Sequence, residues 1–123
     1  MKISEAESQV LQVFWDVTQP LTADEVVAAL ENDCEWSAGT IRTFLTRLVK
    51  KKALAATPDG RRYLYRPLVQ REDYVHQQSR NLIDRLFGGR IAPFVTQFSE
   101  RGRLSREEVE ELKRLVKRLD RER

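Results

Sequence analysis

Apolar positions in this chain recur mostly with the 3.6-residue period of a helix, and only one short stretch alternates with the period of a strand. The opening ISEAESQVLQVFWDV places Ala6, Val10, Val13, Phe14 and Val17 on one face. Ser4 can cap that helix, and Glu7, three residues on, completes a capping box. Gln19-Pro20 ends the element. Thr22 and Glu25 form a second box, ahead of a short helix with Val26, Val27 and Leu30 inward and a break at Asn32-Asp33. A third helix starts near Ser37 and runs through WSAGTIRTFLTRLVKK, with Ile41, Phe44, Leu45, Leu48 and Val49 in one arc. Then the period changes. In LAATPDGRRYLYRP, Asp59-Gly60 is a hairpin signal. After it Arg62, Leu64 and Arg66 alternate with Arg61, Tyr63 and Tyr65, and Pro67 closes the strand.

Beyond Pro67 the helical period returns. A helix from about Gln70 to Leu86 carries Tyr74, Val75, Leu82, Ile83 and Leu86 and ends at Gly88-Gly89. A short helix from Pro93, a residue suited to a first turn, carries Phe94, Val95 and Phe98, and Gly102 breaks the chain after it. Ser105 and Glu108 box a last helix with Val109, Leu112, Val116 and Leu119 on one face. The expected fold is mainly α with a small β-hairpin wing: a winged helix-turn-helix over residues 1–67, then a helical region over 68–123. Three short amphipathic helices are marginal alone. Burial of their apolar faces against a second copy predicts a homodimer, with Leu82, Leu86, Phe94, Phe98, Val109, Leu112 and Val116 at its seam. Phe14 and Trp15 are expected in the N-terminal core, and Trp36 against the start of the third helix.

Charge sharpens this picture. The net +3 of the 123 residues divides into −7 over 1–37, +7 over 38–66 and +3 over 67–123. The outer arc of the third helix holds Gly39, Arg42, Thr43, Thr46, Arg47 and Lys50 without one acid. A solvent face would ordinarily mix Glu with Lys. Short hydroxyls between long cations suit close approach to bases and phosphates. The third helix is therefore expected in a major groove of double-stranded DNA. Lys50, with Arg61 and Arg62 at the hairpin tip, would neutralise phosphates or reach the minor groove. Winged helices also bind proteins, but that role predicts acidic or apolar residues on the exposed face. RNA binding lacks an evident aromatic platform here, because Tyr63 and Tyr65 are expected to pack the wing on the body.

Other chemistry is sparse. The chain is too short for an ordinary Rossmann or barrel enzyme. With 41% hydrophobic and 33% charged residues it suits a folded protein rather than a disordered one. One histidine, His76, and one cysteine, Cys34, supply no metal triad. His76 reads as a surface or interface residue rather than a catalytic base, and Cys34 as a small filler rather than a redox sensor. A single cysteine and the lack of a long apolar run or signal pattern point to a cytoplasmic protein without membrane insertion. No enzymatic activity, cofactor or metal is expected.

Several strings carry a family resemblance: ISEAE at 3–7, WSAGTIRTFLTRLVKK at 36–51, GRRYLYRPLVQREDYV at 60–75, LFGG at 86–89 and LSREEVEEL at 104–112. Together they span nearly the whole chain, which resembles the penicillinase and methicillin-resistance repressors. The resemblance implies a dimer with intertwined C-terminal helices, bound to inverted-repeat operators of TACA/TGTA type. It implies base contacts at Gly39, Thr40, Arg42, Thr43 and Arg47, with Gly39 where the methicillin-type pattern has lysine. It also implies control of β-lactamase or related antibiotic-resistance genes, relieved when a membrane metalloprotease sensor leads to cleavage before a phenylalanine. The matching bond here is Gln97-Phe98, with glutamine in place of the family's asparagine. A copper-responsive branch carries a C-terminal C-x-C cluster, which this chain does not have.

Overall fold

The computed structural model describes residues 2–33, 35–102 and 104–123. Cys34, read above as a filler, lies outside them. The elements run α1 (Glu5–Trp15), α2 (Ala23–Leu30), α3 (Ala38–Lys50), β1 (Leu54–Asp59), β2 (Arg62–Pro67), α4 (Arg71–Phe87), α5 (Ile91–Glu100) and α6 (Arg106–Arg121). All three expected capping boxes form. The Ser4, Thr22 and Ser105 side chains accept from the backbone N–H of Glu7, Glu25 and Glu108 at 3.1, 3.2 and 3.1 Å. Each glutamate accepts in return from its cap residue's N–H. Ser37 caps α3 by accepting from Thr40 N–H at 3.1 Å. These caps satisfy amide donors that helix geometry would leave open.

The chain divides inside α4 into two compact units, Met1–Val75 and His76–Arg123. The first thus continues past the wing end at Pro67 that bounds the expected first domain. Trp15 is the reason. Its indole Nε1 donates to Val69 O at 2.9 Å, and its ring lies 5.4 Å from that of Tyr74. Both contacts hold the start of α4 to α1.

The core of the first unit is Val10, Leu11 and Phe14 of α1, Leu21, Val26 and Leu30, then Ile41, Leu45 and Leu48 of α3, with Ala53 and Leu54 entering β1. The α1 face is rotated from the expected one. Leu11 and Glu7 are buried, while Val17 lies beyond the helix end and is exposed. Trp36 packs edge-on against Phe44 at 5.1 Å, as expected of a residue supporting α3.

The wing is a two-stranded antiparallel hairpin in register Leu54↔Pro67 through Asp59↔Arg62. Its two loop residues are Gly60 and Arg61, one position later than the Asp-Gly signal suggests. Gly60 takes the left-handed conformation (φ 66°) that a tight hairpin demands and that glycine adopts without steric cost. A short third partner, not foreseen from the pattern, anchors the wing. Leu21 N–H donates to Tyr65 O at 2.9 Å and Tyr65 N–H to Leu21 O at 2.7 Å. Tyr65 is half-buried there, whereas Tyr63 is exposed and does not pack on the body as expected.

In the second unit α5 begins at Ile91, two residues before Pro93. Proline still fits, because the amide it lacks is one of the four that a helix start leaves unpaired. Phe87, Phe94 and Phe98 form a chain of edge-on rings at 5.6 and 5.2 Å. Ile83 is the one buried hydrophobic residue among those described in this unit.

Candidate nucleic-acid interface

Ser37 fixes where α3 starts, and Ile41, Leu45 and Leu48 fix which way it faces. Those three buried side chains leave Gly39, Arg42, Thr43, Thr46, Arg47 and Lys50 exposed on the opposite arc, with Thr40 half-buried beside them. Thr43 Oγ1 donates to Gly39 O at 3.0 Å and Thr46 Oγ1 to Arg42 O at 3.1 Å. With their protons held inside the helix, both hydroxyls keep acceptor lone pairs and a methyl group for an incoming ligand. A thymine methyl or a base amino group is the chemistry such a surface can meet. At Gly39 a Cβ would lie 3.8 Å from Ser37 Oγ, so a side chain fits there without displacing anything.

Arg61 and Arg62 stand at the wing tip, both exposed. Arg62 Nε pairs with Asp59 Oδ2 at 3.3 Å. The tip does not stand apart from α3. A polar cleft of about 650 Å³ joins Arg61, Arg62 and Tyr63 of the wing to Arg42 of α3 and to Asp24 and Glu25 of α2. The hydrogen bonds from the Thr22 backbone and side chain hold the Glu25 carboxyl below the usual carboxylate range, and the Arg62 charge adds to that. The fold thus gathers the α3 face and the wing cations that lie about twenty residues apart in sequence.

Two features escape sequence reading. Arg42 forms an ion pair with Asp24 of α2, eighteen positions away in the chain, and no periodicity connects them. Lys51, counted above only as positive charge, points to the core instead. Its Nζ donates to Glu7 Oε1 at 2.5 Å and to Lys2 O at 2.8 Å. Among the described residues Arg47, Lys50 and Arg61 make no ion pair, so three of the interface cations are free of protein carboxylates.

The expected seam residues all fall in the second unit. Leu82, Phe94, Val109 and Leu112 are half-buried, and Leu86, Phe98 and Val116 are exposed. Phe94, Phe98 and Leu112 line an apolar groove of about 740 Å³ between α5 and α6, together with Val95, Leu104 and Leu115. Gln97 and Phe98 lie within α5, so the peptide bond between them is helical.

Three helices, a hairpin wing and a basic third-helix face define a winged helix-turn-helix module of the kind that reads nucleic acid. The whole chain can be placed more closely. The penicillinase repressor family matches residues 3–118, and the chain belongs to that family. It is 35% identical to the penicillinase repressor of Bacillus licheniformis over 94% of this chain and 89% of that protein. To the methicillin resistance regulatory protein MecI of Staphylococcus aureus (strain N315) it is 31% identical, over 94% of this chain and 93% of that protein. Its fold matches the solution structure of the DNA-binding domain of the repressor BlaI, with a TM-score of 0.54 and 38% identity, over 59% of this chain and 88% of that one. It also matches the monomeric form of Bacillus licheniformis BlaI in complex with the blaP half-operator, with a TM-score of 0.52 and 38% identity, over 60% and 89% of the two chains. No described helix is long and apolar enough to cross a membrane.

Proposed function

We propose that this protein is a cytoplasmic transcriptional repressor that binds an inverted-repeat operator as a homodimer. The observation that carries this reading is the acid-free exposed face of α3, continued by Arg61 and Arg62 of the wing, in a member of a repressor family. Each protomer lays α3 in a major groove. Thr40, Arg42, Thr43 and Arg47 contact bases and backbone, with Gly39 allowing close approach and Thr46 offering its acceptor and methyl. Lys50, Arg61 and Arg62 neutralise phosphates. Two-fold symmetry places two α3 helices about 34 Å apart along one side of the duplex, which requires a palindromic site. Bound near a promoter, the dimer excludes polymerase.

The second subunit covers the apolar groove and the exposed leucines and valines of α4, α5 and α6. Relief of repression comes from cleavage at Gln97-Phe98, prompted by a membrane sensor. Because that bond lies in a helix, a protease must first unwind part of α5. The genes under control include a β-lactamase or a related resistance gene. Selection of bound sequences from a random duplex pool tests the reading. The expected product is an inverted repeat with TACA/TGTA half-sites. Recovery of no common sequence, or of single-stranded ligands, contradicts it.

A further inference from the structure

The cations of the interface fall into two groups. Among the described residues Arg47, Lys50 and Arg61 have no carboxylate as ion-pair partner, whereas Arg42 is paired with Asp24 and Arg62 with Asp59. Asp24 stands in the first turn of α2, largely exposed, and the cleft it shares with Arg42 also holds Arg61, Arg62 and Glu25. Three arginines and two carboxylates leave that cleft nearly neutralised, while the outer face of α3 keeps its full positive charge. A duplex on α3 would bring phosphates near an exposed carboxylate. A guanidinium already held by that carboxylate is less available as a phosphate contact.

We infer that Asp24 is a specificity-determining residue: it withholds Arg42 from the phosphate backbone, lowers affinity for arbitrary DNA and keeps the guanidinium positioned for base contact. Sequence-independent affinity comes almost wholly from phosphate neutralisation. A cation bound to an internal carboxylate adds little to it, but an Arg held at a fixed place can still use its remaining donors on a base edge. The discrimination between operator and other DNA therefore rises at the expense of total affinity.

The inference rests on the DNA-binding reading, and one experiment separates the two. Binding of wild type, Asp24→Asn, Arg42→Ala and the double variant is measured on a selected operator and a scrambled duplex across a salt series. Thermal melting of each variant accounts for any loss at the α2 start, where an acidic residue is favourable. Wild-type affinity that falls with salt supports DNA binding itself, and its absence refutes that reading. Given binding, Asp24→Asn is expected to tighten the scrambled duplex about threefold to fivefold per protomer. It should also steepen the salt slope by about 0.9 per protomer. The operator should gain less, and in the Arg42→Ala background the effect should vanish. An unchanged or weaker affinity for the scrambled duplex overturns the inference. So does an equal gain with Arg42 absent, which would mean that Asp24 merely repels DNA.

Discussion

The described residues of the first unit bury eleven hydrophobic side chains in one cluster, whereas those of the second bury Ile83 alone. The second unit also leaves Leu86, Ile91 and Val116 about 60% exposed. The two stretches have similar amphipathic helices, so the difference lies in what the helices have to pack against. In the first unit α1, α2, α3 and the wing close around Phe14 and Leu45. In the second the apolar faces of α5 and α6 enclose an open groove. Amphipathicity is therefore a promise of burial, and only the first unit fulfils it within one chain.

Core truncation breaks this contrast most severely. Leu45→Ala should cost about 3 kcal/mol of unfolding free energy, because it opens a cavity in a closed core. Leu112→Ala with Val116→Ala should leave the unfolding of the first unit within about 0.5 kcal/mol and convert the proposed dimer to monomer. Urea unfolding and light scattering read the two effects. Equal destabilisation of the first unit by both changes would remove the distinction between the units.

The wing gives the next largest effect. Arg61→Ala with Arg62→Ala should make the salt slope of DNA binding shallower by between about 0.9 and 1.8 per protomer, because Arg61 counts in full and Arg62 is shared with Asp59. An unchanged slope means that the wing tip does not meet the backbone.

Acid exposes a weaker point of the first unit. Burial pushes the Glu7 carboxyl up, but the Lys51 ammonium and the Ser4 amide and hydroxyl outweigh it, so its titration lies below the usual 4.5. A carboxyl with a depressed folded pKa contributes stability that is present above its unfolded value. That contribution is lost as pH falls through the folded value. Wild type should therefore lose stability below about pH 4.5 more steeply than Glu7→Gln, as followed by urea midpoints. Parallel curves would assign the acid sensitivity elsewhere. Among the described residues the carboxylate's other oxygen, Oε2, is buried without a hydrogen-bond partner, so Lys51 and Ser4 are its described support.

The smallest change adds a charge. Gly39→Lys has room at Cβ, and in the first turn of α3 its charge costs on the order of 0.3 to 1 kcal/mol against the helix dipole. It should steepen the salt slope by about 0.9 per protomer. A slope that does not move places residue 39 away from the backbone.

Much of this was legible in the sequence because the signals were local. Capping boxes at Ser4, Thr22 and Ser105 act over three residues, and the α3 face follows from one helical period. The arrangement of charge was not legible. Asp24 meets Arg42, and Lys51 meets Glu7, across turns whose geometry no periodicity encodes. The buried face of α1 differs from the one its apolar period predicts for a related reason. Burial of Glu7 depends on a lysine that arrives from the far end of α3, so the capping-box carboxylate also takes a place on the buried face, which the apolar period does not show. The wing loop fell one residue later than the Asp-Gly signal because the register is set by the whole ladder, including the Leu21–Tyr65 bridge.

The central claim is that α3 and the wing bind duplex DNA through their cations, and the salt dependence of wild-type binding tests it most directly. With Lys50 and Arg61 free and Arg62 shared with Asp59, the proposed dimer is expected to meet about four to six phosphates, so the log–log slope should lie between about −3.6 and −5.4. A slope near zero, or binding that excess duplex does not compete, would contradict the account.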